Sequence, residues 1–383
     1  MEVRYELTEC DIKELAAFRS EKYFVLSLYL DLSVTDFPTK KDLEEEANSL
    51  LQSAVRQLEN KHKTASGFKE AIDDARHLQR FLELDFSREG ATAFAAFVCR
   101  PEGLERCYVF CRPVRARASI DRSPYVRPLN AVLTENSAFG VILCNRRKAR
   151  LLAFHLGRQR GRELVVQDPV HGRHDQGGWS QARYARHIER EAHDHFKHVA
   201  KEAEEYFTEN PVDRLILAGP VEDLVEARRC LPPYLEKRIV RELHIDVNTK
   251  VAELGRIVDE IDAAVEAEED ARLVHEMREG LGTGKAVAGL ESVLKAVSDG
   301  QVRVLLVSRG LRVSGWRCGM CRALLMVGPR CERCRGNSAT RVDDVVEEAI
   351  QDVLINGGHV ELVTGDPDLD VMGGIGALLR FSS

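Results

Sequence analysis

A pair of adjacent glycines runs directly into a series of arginines between residues 177 and 190. Gly177 and Gly178 lack a Cβ atom, so the main chain can approach a ligand closely at this point. Ser180 stands where the N-cap of a helix is expected, and arginines follow it at helical spacing. Guanidinium groups on one face of a helix bind phosphates well, so this segment predicts contact with nucleic acid. The predicted RNA-binding residues are Ser180, Arg183, Arg186 and Arg190.

Two cysteine pairs with the spacing Cys-x-x-Cys lie near the C-terminus. Cys318 and Cys321 form the first motif, Cys331 and Cys334 form the second, and nine residues separate the two. Two such pairs supply the four thiolates of a tetrahedral zinc site, and four protein ligands leave no open position for catalysis. Redox motifs usually come singly, and a reducing cytoplasm disfavours disulfides. We therefore predict one structural Zn²⁺ ion, held by these cysteines in a zinc ribbon over residues 316–336.

Two other groups of residues have the residue types of a phosphate-binding loop or a metal site, but their spacing does not fit either motif. The segment 280–286 resembles a phosphate-binding loop, but Glu279 stands where the motif needs its first glycine, and Ala286 lacks the hydroxyl that holds magnesium. Four histidines fall on one predicted helix, where only some share a face, and no metal-binding motif accompanies them. We interpret the glycine segment as a linker and the histidines as solvated or RNA-facing. The four are His187, His193, His195 and His198.

Length and composition limit the class of protein. A chain of 383 residues is too long for one ordinary core and predicts two or three domains. The hydrophobic fraction of 44% and the charged fraction of 31% are typical of a soluble globular protein. No apolar segment is long enough to span a bilayer, and the N-terminus does not resemble a signal peptide. We therefore expect a cytoplasmic protein without a membrane partner.

Charge is distributed unevenly along the chain. The formal net charge of −7 argues against a protein that coats nucleic acid nonspecifically. Two basic runs nevertheless precede the glycine loop, and we interpret them, together with the loop, as one directed basic face. The first run contains Arg112, Arg115, Arg117, Arg122 and Arg127, and the second contains Arg146, Arg147, Lys148 and Arg150.

Alternating helix and strand patterns predict a mixed α/β fold in three domains. The N-terminal domain spans residues 1–135. The middle domain, residues 136–248, carries the glycine loop between a strand hairpin and a long helix. The C-terminal domain, residues 249–383, begins with an amphipathic helix and contains the cysteine pairs.

Several elements near the candidate sites have definite predicted bounds. The glycine loop leads into a helix from residue 180 to about 207, which Pro211 ends. In the C-terminal domain, apolar periodicity predicts helices over 286–297 and 343–355. Short β-branched runs predict strands over 302–307 and 359–363.

The glycine segment resembles the catalytic loop of the eukaryotic and archaeal class I peptide chain release factors. Their pattern is Gly-Gly-Gln-Ser, two residues, Arg-Phe, one residue, Arg, and then Glu three residues later. Here Trp179 stands in the place of the glutamine, and Tyr184 in that of the phenylalanine. The identical positions are Gly177, Gly178, Ser180, Arg183, Arg186 and Glu189.

The two ends of the chain compare differently with this family. Gly289-Leu290-Glu291 and the closing Gly-Gly-Ile-x-Ala-x-Leu-Arg strand resemble its third domain, which has the fold of ribosomal protein L7Ae and engages a translational GTPase. The resemblance implies an L7Ae-like domain with an inserted zinc ribbon and a GTPase partner. The stop-codon motifs of the family, Asn-Ile-Lys-Ser and Tyr-x-Cys-x-x-x-Phe, do not occur in residues 1–135. We therefore expect a divergent bacterial member that does not read stop codons.

The resemblance implies a protein of the ribosomal A site that contacts rRNA and peptidyl-tRNA. In one hypothesis it hydrolyses peptidyl-tRNA in ribosome rescue or termination, with Gly177, Gly178, Trp179 and Gln181 as catalytic residues. The indole of Trp179 offers one donor only, so its backbone N–H serves the leaving group while Gln181 or rRNA orients water. A variant of this hypothesis is cleavage of the tRNA by a histidine base. The candidate bases are His171, His174 and His187.

A second hypothesis makes the protein a binding module. Tryptophan stacks well on exposed nucleobases, so Trp179 would stabilise a protein that only occupies the A site. Such a protein would protect or split an idle ribosome, as Pelota-like relatives do. A third alternative is an RNA-binding protein that has no contact with ribosomes.

Overall fold

The chain folds into two compact units in a computed structural model. The structure describes residues 1, 3–5, 7–33, 37–88, 91–110, 113–134, 137–155, 158–169 and 181–381, without the side chains of 134 and 181–185. Residues 1–135 and 269–383 belong to the first unit, and residues 136–268 form the second. Both units contain helices and sheets, so the predicted mixed α/β fold is confirmed. The division into three domains stays a prediction.

The N-terminal part of the first unit is a five-stranded sheet with helices on both faces. Strand order is β1-β4-β3-β2-β5, with a parallel pair between β1 and β4 and antiparallel pairs elsewhere. Leu26, Leu28 and Leu30 of β2 pack with α2 and α3, whereas Val25 and Tyr29 face the opposite layer. The elements are β1 (Val3–Arg4), α1 (Glu9–Ala17), β2 (Val25–Asp31), α2 (Lys40–His62), α3 (Phe68–Leu84), β3 (Ala93–Cys99), a 3₁₀ turn (Arg100–Glu102), β4 (Leu104–Phe110), β5 (Arg117–Asp121) and α4 (Arg127–Thr134).

The second unit is also built on a five-stranded sheet, and it contains the long helix that follows the glycine loop. The elements are β6 (Ala138–Cys144), β7 (Lys148–His155), β8 (Arg158–Gln167), α5 (Gln181–Glu209), β9 (Arg214–Ala218), α6 (Val221–Cys230), α7 (Pro233–Glu236), β10 (Ile239–Leu243) and α8 (Val251–Leu281), which continues into the first unit. Strand order is β10-β9-β6-β7-β8. Strands β10, β9 and β6 run parallel, and β6, β7 and β8 pair antiparallel. The predicted hairpin before the loop is confirmed as β6 and β7.

Helix α5 is anchored along one face. Its bounds confirm the predicted helix after the loop, and its 29 residues extend over about 43 Å. Ile188, Ala192, Phe196, Val199 and Ala203 are buried at the three- and four-residue spacing of one helix face. All but Ile188 belong to the hydrophobic core that also includes residues of β6 and β7. The sheet therefore fixes the position of α5.

The C-terminal part of the first unit contains a four-stranded sheet, β11-β17-β12-β16, and a three-stranded sheet, β14-β13-β15. Its elements are β11 (Ala286–Ala288), α9 (Leu290–Ser298), β12 (Val302–Ser308), β13 (Gly315–Cys318), β14 (Leu324–Leu325), β15 (Ala339–Val342), α10 (Val345–Ile355), β16 (His359–Val363), α11 (Pro367–Val371) and β17 (Ile375–Leu379).

The predicted elements of this part are confirmed with one correction. Strands β12 and β16 and helix α10 match the predicted bounds closely, and Asp344 caps α10 by accepting hydrogen bonds from two backbone N–H groups. The predicted helix over 286–297 is wrong at its start. Ala286–Ala288 pairs antiparallel with β17 as strand β11. Helix α9 begins only after Gly289, whose φ of 82° is unsuitable for a helix interior.

Charged residues are buried where the two parts of the first unit meet. Arg127 is 3% exposed, and its guanidinium donates to the carbonyl of Leu311 at 2.7 Å and to the carboxylate of Asp344 at 3.3 Å. The carboxylate of Glu347 accepts from the backbone N–H of Val126 at 2.7 Å. Burial raises the pKa of Glu347 to about 7, although Arg127 acts in the opposite direction. These contacts make the two parts of the first unit one folded body.

Within the part of the chain that the structure describes, no helix combines the length and the apolar character needed to cross a bilayer.

Candidate functional site

The loop of the predicted site falls largely outside the described residues. The loop residues concerned are Gly177, Gly178, Trp179 and Ser180. Gln181 is the first residue of α5, and its side chain and that of Arg183 also lie outside the description. His171 and His174, two of the candidate bases, lie outside it as well. The catalytic and RNA-binding roles of these residues stay predictions.

Two of the predicted RNA-binding arginines lie on the outer face of α5. Arg186 and Arg190 are exposed, whereas Ile188 between them is buried on the opposite side of the helix. Their spacing of four residues places them one turn apart on the same face. His187, the third candidate base, is exposed as well, and its Nδ1 atom lies 3.1 Å from the carboxylate of Glu191. The helix therefore presents a charged surface to solvent close to its N-terminus.

The predicted basic face is wrong for two of its arginines. Arg127 is buried against Asp344, as described above. Arg150 is 7% exposed; it pairs with the carboxylate of Glu163 and donates to the carbonyl of Val247 at 2.9 Å. A guanidinium has five donors, and in both residues it donates to a carboxylate and to a backbone carbonyl of the fold. The charge runs therefore contain structural residues, which charge patterning alone does not distinguish from a binding surface.

A carboxylate beside the loop is held by two histidines of α5. Asp168 directly follows β8 and accepts hydrogen bonds from Nδ1 of His195 at 2.6 Å and from Nδ1 of His198 at 3.0 Å. The side chain of His195 is fully buried, and its Nε2 atom has no hydrogen-bond partner among the described residues. Burial by itself would raise the pKa of Asp168, but the two histidine hydrogen bonds outweigh it and lower that pKa. The interpretation of these histidines as solvated or RNA-facing is therefore wrong for His195.

The hydrogen bonds to Asp168 fix the position of the chain at the end of β8. His195 lies 14 positions after Gln181 in α5, which corresponds to about 21 Å along the helix. Asp168 is therefore attached to the side of α5, well away from the first turn of that helix.

The four predicted zinc ligands come together around the sheet β14-β13-β15. The Sγ atoms of Cys318 and Cys334 are 3.5 Å apart, as are those of Cys321 and Cys331, and all four lie within 4.8 Å of one another. Bonds of about 2.3 Å in a zinc tetrahedron separate the sulfur atoms by about 3.8 Å. All four cysteines are free thiols. The cluster therefore has the size and the donor atoms needed to hold a metal ion.

Both cysteine pairs are built on the same turn. Arg322 and Arg335, which follow the second cysteine of each pair, have φ values of 60° and 61°. Side chains with a Cβ rarely adopt this left-handed conformation, so the surrounding contacts must maintain it. The first cysteine of each pair donates its backbone N–H to the carbonyl five residues later, at 2.9 Å for Cys318 and 2.8 Å for Cys331. A backbone hydrogen bond from Cys321 lowers the pKa of the Cys318 thiol to about 6, whereas burial raises the pKa of the Cys321 thiol to about 12.

The chain is similar to a bacterial release-factor family and to archaeal release factors. Residues 124–269 match the family described as bacterial archaeo-eukaryotic release factor family 10. Peptide chain release factor subunit 1 of Thermococcus sibiricus is 27% identical, and the alignment covers 98% of this chain and 97% of the relative. The chain is thus similar to proteins of the archaeo-eukaryotic release factor type. Peptide chain release factor subunit 1 of Pyrococcus abyssi is 26% identical, and the alignment covers 98% of both chains. Among solved structures, Pelota from Archaeoglobus fulgidus is 18% identical over 99% of this chain and 94% of its own, with a TM-score of 0.36.

Asp168 lies outside the site residues that the sequence predicts. An isolated Asp after a strand carries no motif. A usable signal was the three-residue spacing of His195 and His198, which places both rings on one side of α5. That spacing indicates a shared partner, but it does not identify which carboxylate the fold brings to them.

Proposed function

We propose that the chain is a release-factor-like protein that binds the ribosomal A site and brings residues 177–181 to the acceptor end of peptidyl-tRNA. The observation that carries this proposal is the similarity to archaeal peptide chain release factors over 98% of the chain. The glycine segment lies inside the region that matches the release-factor family, residues 124–269. Exposed Arg186 and Arg190 on α5 support contact with rRNA phosphates. This role places the protein in the cytoplasm.

The proposed reaction is hydrolysis of peptidyl-tRNA in ribosome rescue or termination, without reading of a stop codon. Water attacks the ester carbonyl carbon, the bond to the tRNA 3′ oxygen breaks, and that oxygen takes a proton while the peptide leaves as an acid. Gly177 and Gly178 allow the main chain to approach the ester. The backbone N–H of Trp179 stabilises the leaving oxygen, and Gln181 or rRNA orients the water.

Trp179 itself favours a second candidate function. Its indole has a single donor and no acceptor, so it cannot replace the side-chain amide of the family's glutamine. The same ring stacks well on a nucleobase. In this alternative the protein occupies the A site without catalysing hydrolysis, and it protects or splits an idle ribosome.

We also propose that the four-cysteine cluster holds structural Zn²⁺. The sulfur separations near 3.5 Å and the four thiol donors support this assignment. Cys318, Cys321, Cys331 and Cys334 would close the coordination shell, so the ion would hold the ribbon together and carry out no catalysis. The ribbon would be an insertion in an L7Ae-like C-terminal domain, residues 249–383, whose partner is a translational GTPase.

Peptide release from purified ribosomes that carry peptidyl-tRNA tests the proposed reaction. Wild-type protein should release the peptide, and Gly178→Ala should lower the rate roughly 100-fold because misplacement of the loop by about 1 Å has an effect of that size. Gly282→Ala is the matched control, since an added Cβ there has no heavy atom within 4 Å. Both variants should co-sediment with ribosomes as the wild type does.

The other outcomes of this assay separate the alternatives. Co-sedimentation without release from the wild type would support occupancy of the A site by a binding module. A shortened tRNA would support the nuclease variant with a histidine base. Failure of the wild type to co-sediment with ribosomes would contradict every ribosomal hypothesis.

A further inference from the structure

A second group of metal-ligand side chains lies where α5 packs on α6. His193 is on α5, and Glu226 and Cys230 are on α6. Nδ1 of His193 lies 2.6 Å from Oε1 of Glu226 and 3.9 Å from Sγ of Cys230, and the three ligand atoms all lie within 4.8 Å of one another. We propose that these residues bind a second divalent ion, Zn²⁺, at a site separate from the four-cysteine cluster.

Packing of the two helices fixes the positions from which the three ligands extend. Glu226 and Cys230 are four residues apart, so both project from the side of α6 that faces His193. Leu224 and Ala227 hold α6 in the same core that contains residues of α5. The ligands therefore stay together without a metal, and an ion would bind a largely formed site.

The separations suit a tetrahedral ion after a small side-chain adjustment. Zinc bonds of about 2.0–2.3 Å to N, O and S place neighbouring ligand atoms roughly 3.3–3.7 Å apart. The distance from Nδ1 of His193 to Sγ of Cys230 needs little change. The distance from Nδ1 to Oε1 of Glu226 must lengthen, and both side chains have room to rotate because they are 41% and 34% exposed.

The donor set and its charge select the class of ion. A thiolate and a carboxylate together balance a divalent cation, and a set of one N, one O and one S donor suits zinc rather than magnesium or calcium. Arg229 lies 3.6 Å from Oε2 of Glu226, which leaves Oε1 for the metal. Three protein ligands at a half-exposed site leave a fourth position for water. The ion would clamp α6 to α5, the helix that begins directly after the glycine loop.

Titration with Co²⁺ of full-length protein, dialysed first against EDTA to empty exposed metal sites, tests this site. Wild-type protein should bind one more equivalent of metal than Cys230→Ser or His193→Ala, and only the wild type should show the additional thiolate-to-cobalt absorption in the near ultraviolet. Cys10→Ser is the control, because Cys10 is an exposed thiol on α1. Far-ultraviolet circular dichroism checks that each variant is folded.

The competing account is an ordinary His–Glu ion pair beside an unrelated cysteine. Equal metal binding by the wild type and a folded Cys230→Ser variant would establish that account and overturn the proposal. An equal loss in Cys10→Ser would overturn it too, since the absorption would then come from thiols in general.

Discussion

Asp168 receives hydrogen bonds from two histidines, one fully buried and one half-exposed. The contact joins the end of β8 to the middle of α5, on either side of the glycine segment. A carboxylate that accepts from two ring N–H groups is ionised in the folded protein, as the lowered pKa of Asp168 indicates. The residue therefore fixes the end of β8 against the middle of α5.

Replacing this carboxylate should destabilise the second unit. We expect Asp168→Asn to lower the free energy of unfolding by about 1–3 kcal/mol at neutral pH, because hydrogen bonds to a charged acceptor are lost. Since folding lowers the pKa of Asp168, its stabilisation is present above the unfolded value of 3.8 and is lost as the pH falls through the folded value. The difference between wild type and variant should therefore shrink in acid.

Denaturant unfolding at several pH values measures this difference. Asp194→Asn is the control, because Asp194 is an exposed carboxylate on the same helix. A variant at position 168 that is as stable as the wild type at neutral pH would show that the two histidines do not stabilise the fold.

At the residue scale, the sequence predicts a site only when the residues of that site lie close together along the chain. The four cysteines were found because each pair is local and its spacing has a chemical meaning. Asp168 and His195 are 27 positions apart, and no local pattern connects them. Without such a pattern, the sequence predicts that these histidines are solvated or face RNA.

At the scale of elements, apolar patterns predicted the buried strands and helices but missed a strand at the sheet edge. β8 begins with Arg158-Gln-Arg-Gly-Arg, and its first five residues are exposed. Charged residues on an edge strand protect it from pairing with other chains, and they also hide the alternation that identifies a strand. The predicted helix is wrong over residues 286–288, which form strand β11. Three small apolar residues fit a strand and a helix equally well.

The small sheet β14-β13-β15 should depend on the metal. We expect Cys331→Ser to lose one equivalent of zinc and to speed amide hydrogen exchange over residues 315–342, because such ribbons fold only when the ion is bound. Exchange in β12 and β16 should stay slow, since those strands belong to a different sheet. Metal analysis and hydrogen exchange measured by mass spectrometry check both points.

Cys107→Ser is the matched control for this prediction. Cys107 is a fully buried cysteine of β4 outside the cluster, so its replacement should leave the zinc content unchanged. Zinc content equal to that of the wild type in Cys331→Ser would contradict the four-cysteine site.

At the scale of the whole molecule, the first unit is assembled from the two ends of the chain. Arg127 and Glu347 are 220 positions apart in sequence, yet they share a buried network. Arg127 was predicted to be part of a basic surface because its neighbours in sequence are also basic. Only the fold shows that its charged partners are Glu347 of α10 and Asp344, the residue that caps α10.

Glu347 should make the stability of the first unit depend on pH. Its folded pKa of about 7 lies above the unfolded value of 4.5, so the contribution of Glu347 to stability is fully present below pH 4.5 and is lost as the pH rises through 7. Glu347→Gln keeps the side-chain shape and removes this ionisation. The variant should therefore gain roughly 2–3 kcal/mol relative to the wild type between pH 4.5 and pH 8.

Thermal unfolding across that pH range tests the prediction, with Glu291→Gln as the control because Glu291 is exposed on α9. Parallel pH profiles for the wild type and Glu347→Gln would show that this carboxyl group does not titrate in the interval.

A cryo-electron microscopy map of the protein on ribosomes with peptidyl-tRNA in the P site tests the central claim most directly. The map should show the protein in the A site, with residues 177–181 in contact with the 3′-terminal adenosine of the tRNA and α5 directed along rRNA. A map in which those residues point into solvent, or in which the protein binds elsewhere on the particle, would contradict the proposed function.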